Sequence, residues 1–163
     1  IMDYSEVCFI LSEIRGWDNN WYKAGVKASM DKWNVDTAKA TAFINSLPAA
    51  TAETVMTQKY VALYMNPNEG WTEYRRTGYP KFLIKVGERV KTNYLLDEDG
   101  SATDISNNSY KFESMYEGNT GVPERVNYPL EYKGLNQANY DKARAKTNGD
   151  SMMYRLIFAE NRP

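Results

Sequence analysis

The chain has 163 residues, with 20 Lys+Arg against 21 Asp+Glu and a formal net charge of -1. That length can bury a substantial core, and the interspersed charges leave no basic stripe for nucleic acid. Histidine is absent, which removes the commonest general base, the usual zinc ligand and every Ser-His or Cys-His dyad.

The first predicted helix opens at once. Val7, Ile10, Leu11 and Ile14 fall on one helical face, and Asp3 with Glu6 has the spacing of a capping box. Cys8, the only cysteine, sits in EVCFIL and reads as a buried thiol with no disulfide partner. Gly16 ends this helix. A second runs from near Asn20 to Asn34, with Tyr22, Val26, Met30 and Trp33 as its apolar stripe. The short turn between the two predicts an antiparallel hairpin, and Ala24, Gly25, Ala28 and Ser29 permit close approach. A third helix spans about Asp36 to Ser46 and a fourth about Thr51 to Tyr64. The end of the fourth, YVALYM, is apolar on all sides, which predicts a helix buried in the centre. At six residues it is far short of the roughly 20 that cross a bilayer. Two successive hairpins resemble tetratricopeptide packing, without that repeat's consensus.

A fifth helix starts at Asn66-Pro67 and stops in WTEYRRTGYP. Gly78 suits a left-handed C-terminal position and Pro80 forbids continuation. A Schellman ending would then bring Tyr74 onto Tyr79. Arg75 and Arg76 lie in the last turn, where cations complement the helix dipole, and Glu69 and Glu73 stand within reach of Arg76. Helix-stop chemistry thus accounts for the arginine pair without a ligand. From Lys81 to Gly121 the chain is rich in Asn, Ser, Asp and Gly, predicting a β-hairpin or long loop around Asp97–Gly100. A last helix covers about Asn136 to Ala145.

Chemical motifs are few. With Gly100 at position six of an EF-hand loop, Asp97 and Asp99 would take positions three and five. Leu95 and Ser106 would then stand where carboxylates are required, so that reading fails. Glu6, Glu13, Glu69, Glu73 and Glu113 are all available, but nothing sets two of them facing each other as a glycosidase needs. No phosphate loop, dinucleotide fingerprint or CxxC occurs. The reading is non-enzymatic, with no catalytic residue, metal site or cofactor assigned. The 13 tyrosines suit two roles, core filling with a polar tip and stacking on sugar rings.

TQKYVALYMNPNEGWTEYRRTGYP resembles the C-terminal region of the SusD/RagB family, through Gln58-Lys59 before an apolar helix and through Trp71, Glu73, Arg75, Arg76, Gly78, Tyr79 and Pro80. VPERVNYPLEY, LNQANY and NGD follow in that family's order, and YSEVCFILSEI with its later GW precedes them. The family's Trp-Trp-Asp ending is replaced by IFAENRP, and 82–121 carries no alignable motif. The resemblance implies a mainly α fold: tetratricopeptide-like helical hairpins with an irregular/β-hairpin C-terminal part. It implies that 1–163 is the C-terminal fragment of a longer protein, in keeping with a start that is not an initiator Met. Helical hairpins would occupy 1–80, a variable loop or hairpin insertion 81–121, and a C-terminal segment 122–163.

The family also implies an outward-facing lipoprotein of a Bacteroidetes outer membrane, anchored by a cysteine upstream of this chain rather than by Cys8. Its partners would be an oligosaccharide or other nutrient ligand and a SusC-like TonB-dependent transporter. Tyr94, Tyr110 and Tyr116 in the variable insertion are the carbohydrate-binding candidates, since an exposed loop can present aromatic faces. The rival class is a helical-repeat scaffold for protein–protein contact with no small ligand. A hydrolase stands third.

Overall fold

The structure is a computed structural model and describes residues 2–91, 94–96, 102–104 and 109–159. It divides into two compact units, Ile1–Phe82 and Leu83–Glu160. The first unit holds α1 (Tyr4–Ile14), α2 (Asn19–Lys32), α3 (Thr37–Ser46), α4 (Ala52–Ala62) and α5 (Pro67–Thr77). The fold is mainly helical, and its hairpins are of the tetratricopeptide-like kind expected.

Side-chain caps set the starts of α2, α3 and α4. Asp18 caps α2, its carboxylate accepting from the Asn20 and Trp21 amides at 2.9 Å. Asp36 caps α3 through the Lys39 amide. Thr51 and Thr54 form a reciprocal capping box on α4. Asp3 precedes α1 as expected, but its side chain makes no capping bond. It pairs instead with Lys32 at the far end of α2, so a long-range charge takes the carboxylate that the capping box would have used.

The buried face of α1 corrects the sequence reading. Ile14 is 70% exposed, and Val7, Ile10 and Leu11 are only partly covered. Ser5, Cys8, Phe9 and Ser12 form the inward stripe. The small Ser5, Cys8 and Ser12, and Gly25 opposite the Phe9 ring, let α1 and α2 approach closely. A Cβ built on Gly25 of α2 would stand 2.9 Å from the Phe9 ring. Ser12 belongs inside because it closes the turn. Its hydroxyl donates to the Asp18 carbonyl at 2.8 Å, and its own carbonyl accepts from the Trp17 and Asp18 amides. Phe9, Tyr22, Val26, Val55 and Met56 make the core, with Trp17, Met30, Ile44, Leu47 and Tyr79 packed around it. Burial pushes the Tyr22 phenol above its ordinary value, and a hydrogen bond with Thr54 partly offsets this.

The end of α4 is a second correction. The helix stops at Ala62. Leu63 is buried, but Val61, Tyr64 and Met65 are 53%, 77% and 67% exposed. Only one face of YVALYM meets the core, so an all-apolar run here does not signal all-round burial.

In the second unit β1 (Arg89–Lys91) pairs antiparallel with β4 (Ser109–Lys111), and β2 (Tyr94–Leu96) with β3 (Ala102–Asp104). The two ladders are nested in sequence, as a hairpin requires. The expected turn at Asp97–Gly100 lies outside the described residues. Two helices follow, α6 (Glu131–Leu135) and α7 (Gln137–Lys146), with a 3-10 turn at Ile157–Ala159. The sequence reading anticipated α7 and missed α6, which is five residues long and buries none of them.

Candidate ligand-binding surfaces

The predicted tyrosines fall as follows. Tyr110 lies in β4 opposite Val90 and is 50% exposed; Tyr116, on the segment after it, is 66% exposed. Tyr94 belongs to β2, where it pairs with Asp104; its side chain lies outside what is described.

The WTEYRRTGYP segment spans the end of α5 and the turn after it. Gly78 takes φ 74° and its amide donates to the Tyr74 carbonyl at 2.7 Å. That single bond is the simple left-handed ending, not the Schellman pair expected. The Tyr79 amide donates to Thr77 Oγ1, and Tyr79 packs against the core cluster. The Arg75 guanidinium lies 3.9 Å over the Trp71 ring. Pro80 is fully buried, after a cis Tyr79–Pro80 bond.

Arg76 is the tie between helices. It forks onto both oxygens of Glu13 at 2.6 and 2.8 Å, and its second nitrogen also reaches Glu73 at 2.8 Å. Glu73 in turn holds Lys59 at 3.1 Å, with the Lys59 side chain 2% exposed. One chain of charge therefore joins α1, α4 and α5. Burial alone would push the Glu73 carboxyl up, but hydrogen bonds and charge from Arg76 and Lys59 together hold it below its ordinary value. The hydrogen bond to Glu13 raises the Arg76 guanidinium, against burial and with added support from Glu73. Glu73 was expected as a partner from its spacing. Glu13 is 63 residues away and left no local signal.

A surface that sequence reading missed lies in the second unit. Tyr128, Tyr132, Asn136, Asn139, Tyr140 and Ala143 line a cleft of about 350 Å³, within the usual range for small-ligand sites. Asp150 holds its rim in place. Asn148, Gly149 and Asp150 are all left-handed, at φ 52°, 78° and 73°. This turn carries the Asp150 carboxylate to the Tyr128 amide at 3.1 Å and to Arg125 Nη1 at 2.5 Å. The Arg125 guanidinium covers one face of Tyr128 at 4.6 Å. Tyr140 is buried, while Tyr132 is 53% exposed. Asn136 lines the cleft, and its side chain makes no capping bond on α7. The available signal was the four-residue spacing of Tyr128, Tyr132, Asn136 and Tyr140. Among the described residues no group of three His, Cys, Asp or Glu side chains could hold a metal ion. No described helix is long and apolar enough to cross a membrane.

The first unit is built of helical hairpins, and the second carries a β-hairpin and a cleft lined by tyrosines and asparagines. A SusD-like family model, described as starch-binding and associating with the outer membrane, matches residues 1–96. The chain belongs to the SusD-like family. A search of curated proteins gives no match. Among solved structures, a chitin-binding protein aligns with TM-score 0.66 at 25% identity, over 97% of this chain and 33% of its own. A Bacteroidetes AC2a SusD-like structure aligns with TM-score 0.67 at 22% identity, over 97% of this chain and 30% of its own. The second likeness speaks for the fold alone. The chain spans about a third of each of these structures.

Proposed function

We propose that this chain is the C-terminal part of a SusD-like lipoprotein that captures glycans or other nutrients on the outer face of a bacterial outer membrane. It then passes them to a SusC-like TonB-dependent transporter. The observation that carries the reading is the Tyr128–Ala143 cleft, which three tyrosines and two asparagines line. Apolar sugar faces stack on aromatic rings, and amides both donate to and accept from hydroxyls. Family membership and the chitin-binding neighbour lend support. Tyr94, Tyr110 and Tyr116 would add outlying stacking surfaces on the 81–121 insertion. Binding, not turnover, is the proposed role.

The test is calorimetric titration of the chain with malto- and chito-oligosaccharides. One class should saturate. Tyr132→Ala should weaken it about 2- to 10-fold, the effect of losing one aromatic contact, with an unchanged melting temperature because Tyr132 is half exposed. Saturable binding that Tyr132→Ala leaves untouched would remove the cleft from the mechanism. Failure of every oligosaccharide to bind would sink glycan capture by this chain.

A further inference from the structure

The lining of the second unit's cleft specifies more than a stacking surface. It consists of Tyr128, Tyr132, Asn136, Asn139, Tyr140 and Ala143. Asp, Glu, Lys and Arg are absent from this lining. A sugar ammonium or carboxylate seated there would find no counter-charge among the lining side chains, which weakens its binding. The cleft therefore favours a neutral sugar.

The polar groups of the lining are not consumed by the fold. The side chains of Asn136 and Asn139 make no hydrogen bond with a described residue. Tyr140 is 7% exposed. Its hydroxyl bonds no described residue and is not shut away from solvent. The small part of Tyr140 that water reaches thus includes a hydroxyl, on a residue that lines the cleft.

These groups form a pattern along α7. Asn139 and Ala143 are four residues apart and so neighbours on the helix surface, with Tyr140 between them in sequence. An asparagine amide both donates and accepts, and a tyrosine hydroxyl donates. The alanine methyl is apolar. An acetamido group is the complement of this set. Its N–H meets the Asn139 carbonyl oxygen, its carbonyl accepts from the Asn139 amide or the Tyr140 hydroxyl, and its methyl rests on Ala143. A sugar hydroxyl brings no methyl to bury. Tyr132, 53% exposed, remains for the apolar face of the sugar ring. At about 350 Å³ the cleft lies near the lower end of small-ligand sites, which suits one substituted ring.

We propose that this cleft selects an N-acetylhexosamine residue, with its acetamido group on Asn139, Tyr140 and Ala143 and its ring on Tyr132. This rests on the reading of the chain as a glycan-capture protein and names the class of sugar.

The experiment is NMR-detected titration of the full chain with trimers that share one backbone and differ at a single ring position. Triacetylchitotriose carries acetamido groups there, cellotriose hydroxyls and the glucosamine trimer ammonium groups. Triacetylchitotriose should shift the amides of Tyr132, Asn139 and Tyr140 and bind about tenfold tighter than cellotriose, the worth of one added hydrogen bond and a buried methyl. The glucosamine trimer should bind weakest. Asn139→Ala should bring triacetylchitotriose down to the level of cellotriose. The melting temperature should not change, because Asn139 is exposed. Tyr140→Phe should narrow the preference as well, whereas Tyr132→Ala should weaken both neutral trimers alike. Equal affinity for the two neutral trimers would overturn the assignment and leave glycan capture standing, as would tightest binding by the glucosamine trimer. A preference that survives both Asn139→Ala and Tyr140→Phe would overturn it too. Failure of all the trimers to bind would sink this assignment together with glycan capture by this chain.

Discussion

Glycines show how residue-scale geometry decides the sign of a substitution. Replacing a helical Gly by Ala ordinarily stabilises by about 1 kcal/mol. At Gly25 the new Cβ would lie 2.9 Å from the Phe9 ring, and Phe9 is 0% exposed, so the ring has nowhere to retreat. Overpacking of this kind costs about 1–3 kcal/mol and should win. At Gly70 the new Cβ would meet Tyr60 at 3.6 Å, an ordinary contact, and the helical gain should show. Urea unfolding should therefore place Gly25→Ala below the parent chain and Gly70→Ala above it. The reverse order would mean that the α1–α2 seam is looser than described. The small residues of α2 were legible as a close-approach surface. That Phe9, and not Ile10 or Leu11, faces them was not, because α1 is apolar on several sides and periodicity alone could not rank those faces.

At the scale of elements, one charge network joins three helices. Glu73 is held below its ordinary value of 4.5 in the folded state. A depressed carboxyl contributes stability that is fully present above the unfolded value and is lost as pH falls through the folded one. The melting temperature should therefore hold near neutrality and drop below about pH 4.5. Glu73→Gln should flatten that acid limb. It should also lower stability at pH 7 by about 3 kcal/mol, because it strips a buried partner from Lys59. An unchanged acid limb would show that another carboxylate governs acid unfolding. The stop of α5 was readable from Gly78 and Pro80 because capping is local. The Arg76–Glu13 fork was not, since it joins residues on α5 and α1 that only packing brings together.

Across the whole molecule, burial is uneven. The core draws on α1, α2 and α4, whereas α3 buries only Ala40 and α6 buries nothing. Native-state hydrogen exchange should follow this, with the slowest amides in α1, α2 and α4 and fast exchange in α6. Equal protection of α6 and α4 would contradict that distribution.

The first five helices, the breaks between them, α7 and the stop of α5 were legible in the amino-acid order. Each rests on interactions within a few residues: caps, turn glycines, prolines and periodicity. The tertiary structure alone decided which face of α1 is inside, that the tail of YVALYM is exposed, and that Tyr128, Tyr132, Asn136 and Tyr140 share a cleft. Those outcomes depend on which surfaces meet, and the free energy of burial and charge pairing belongs to pairs of distant segments rather than to any one stretch of chain.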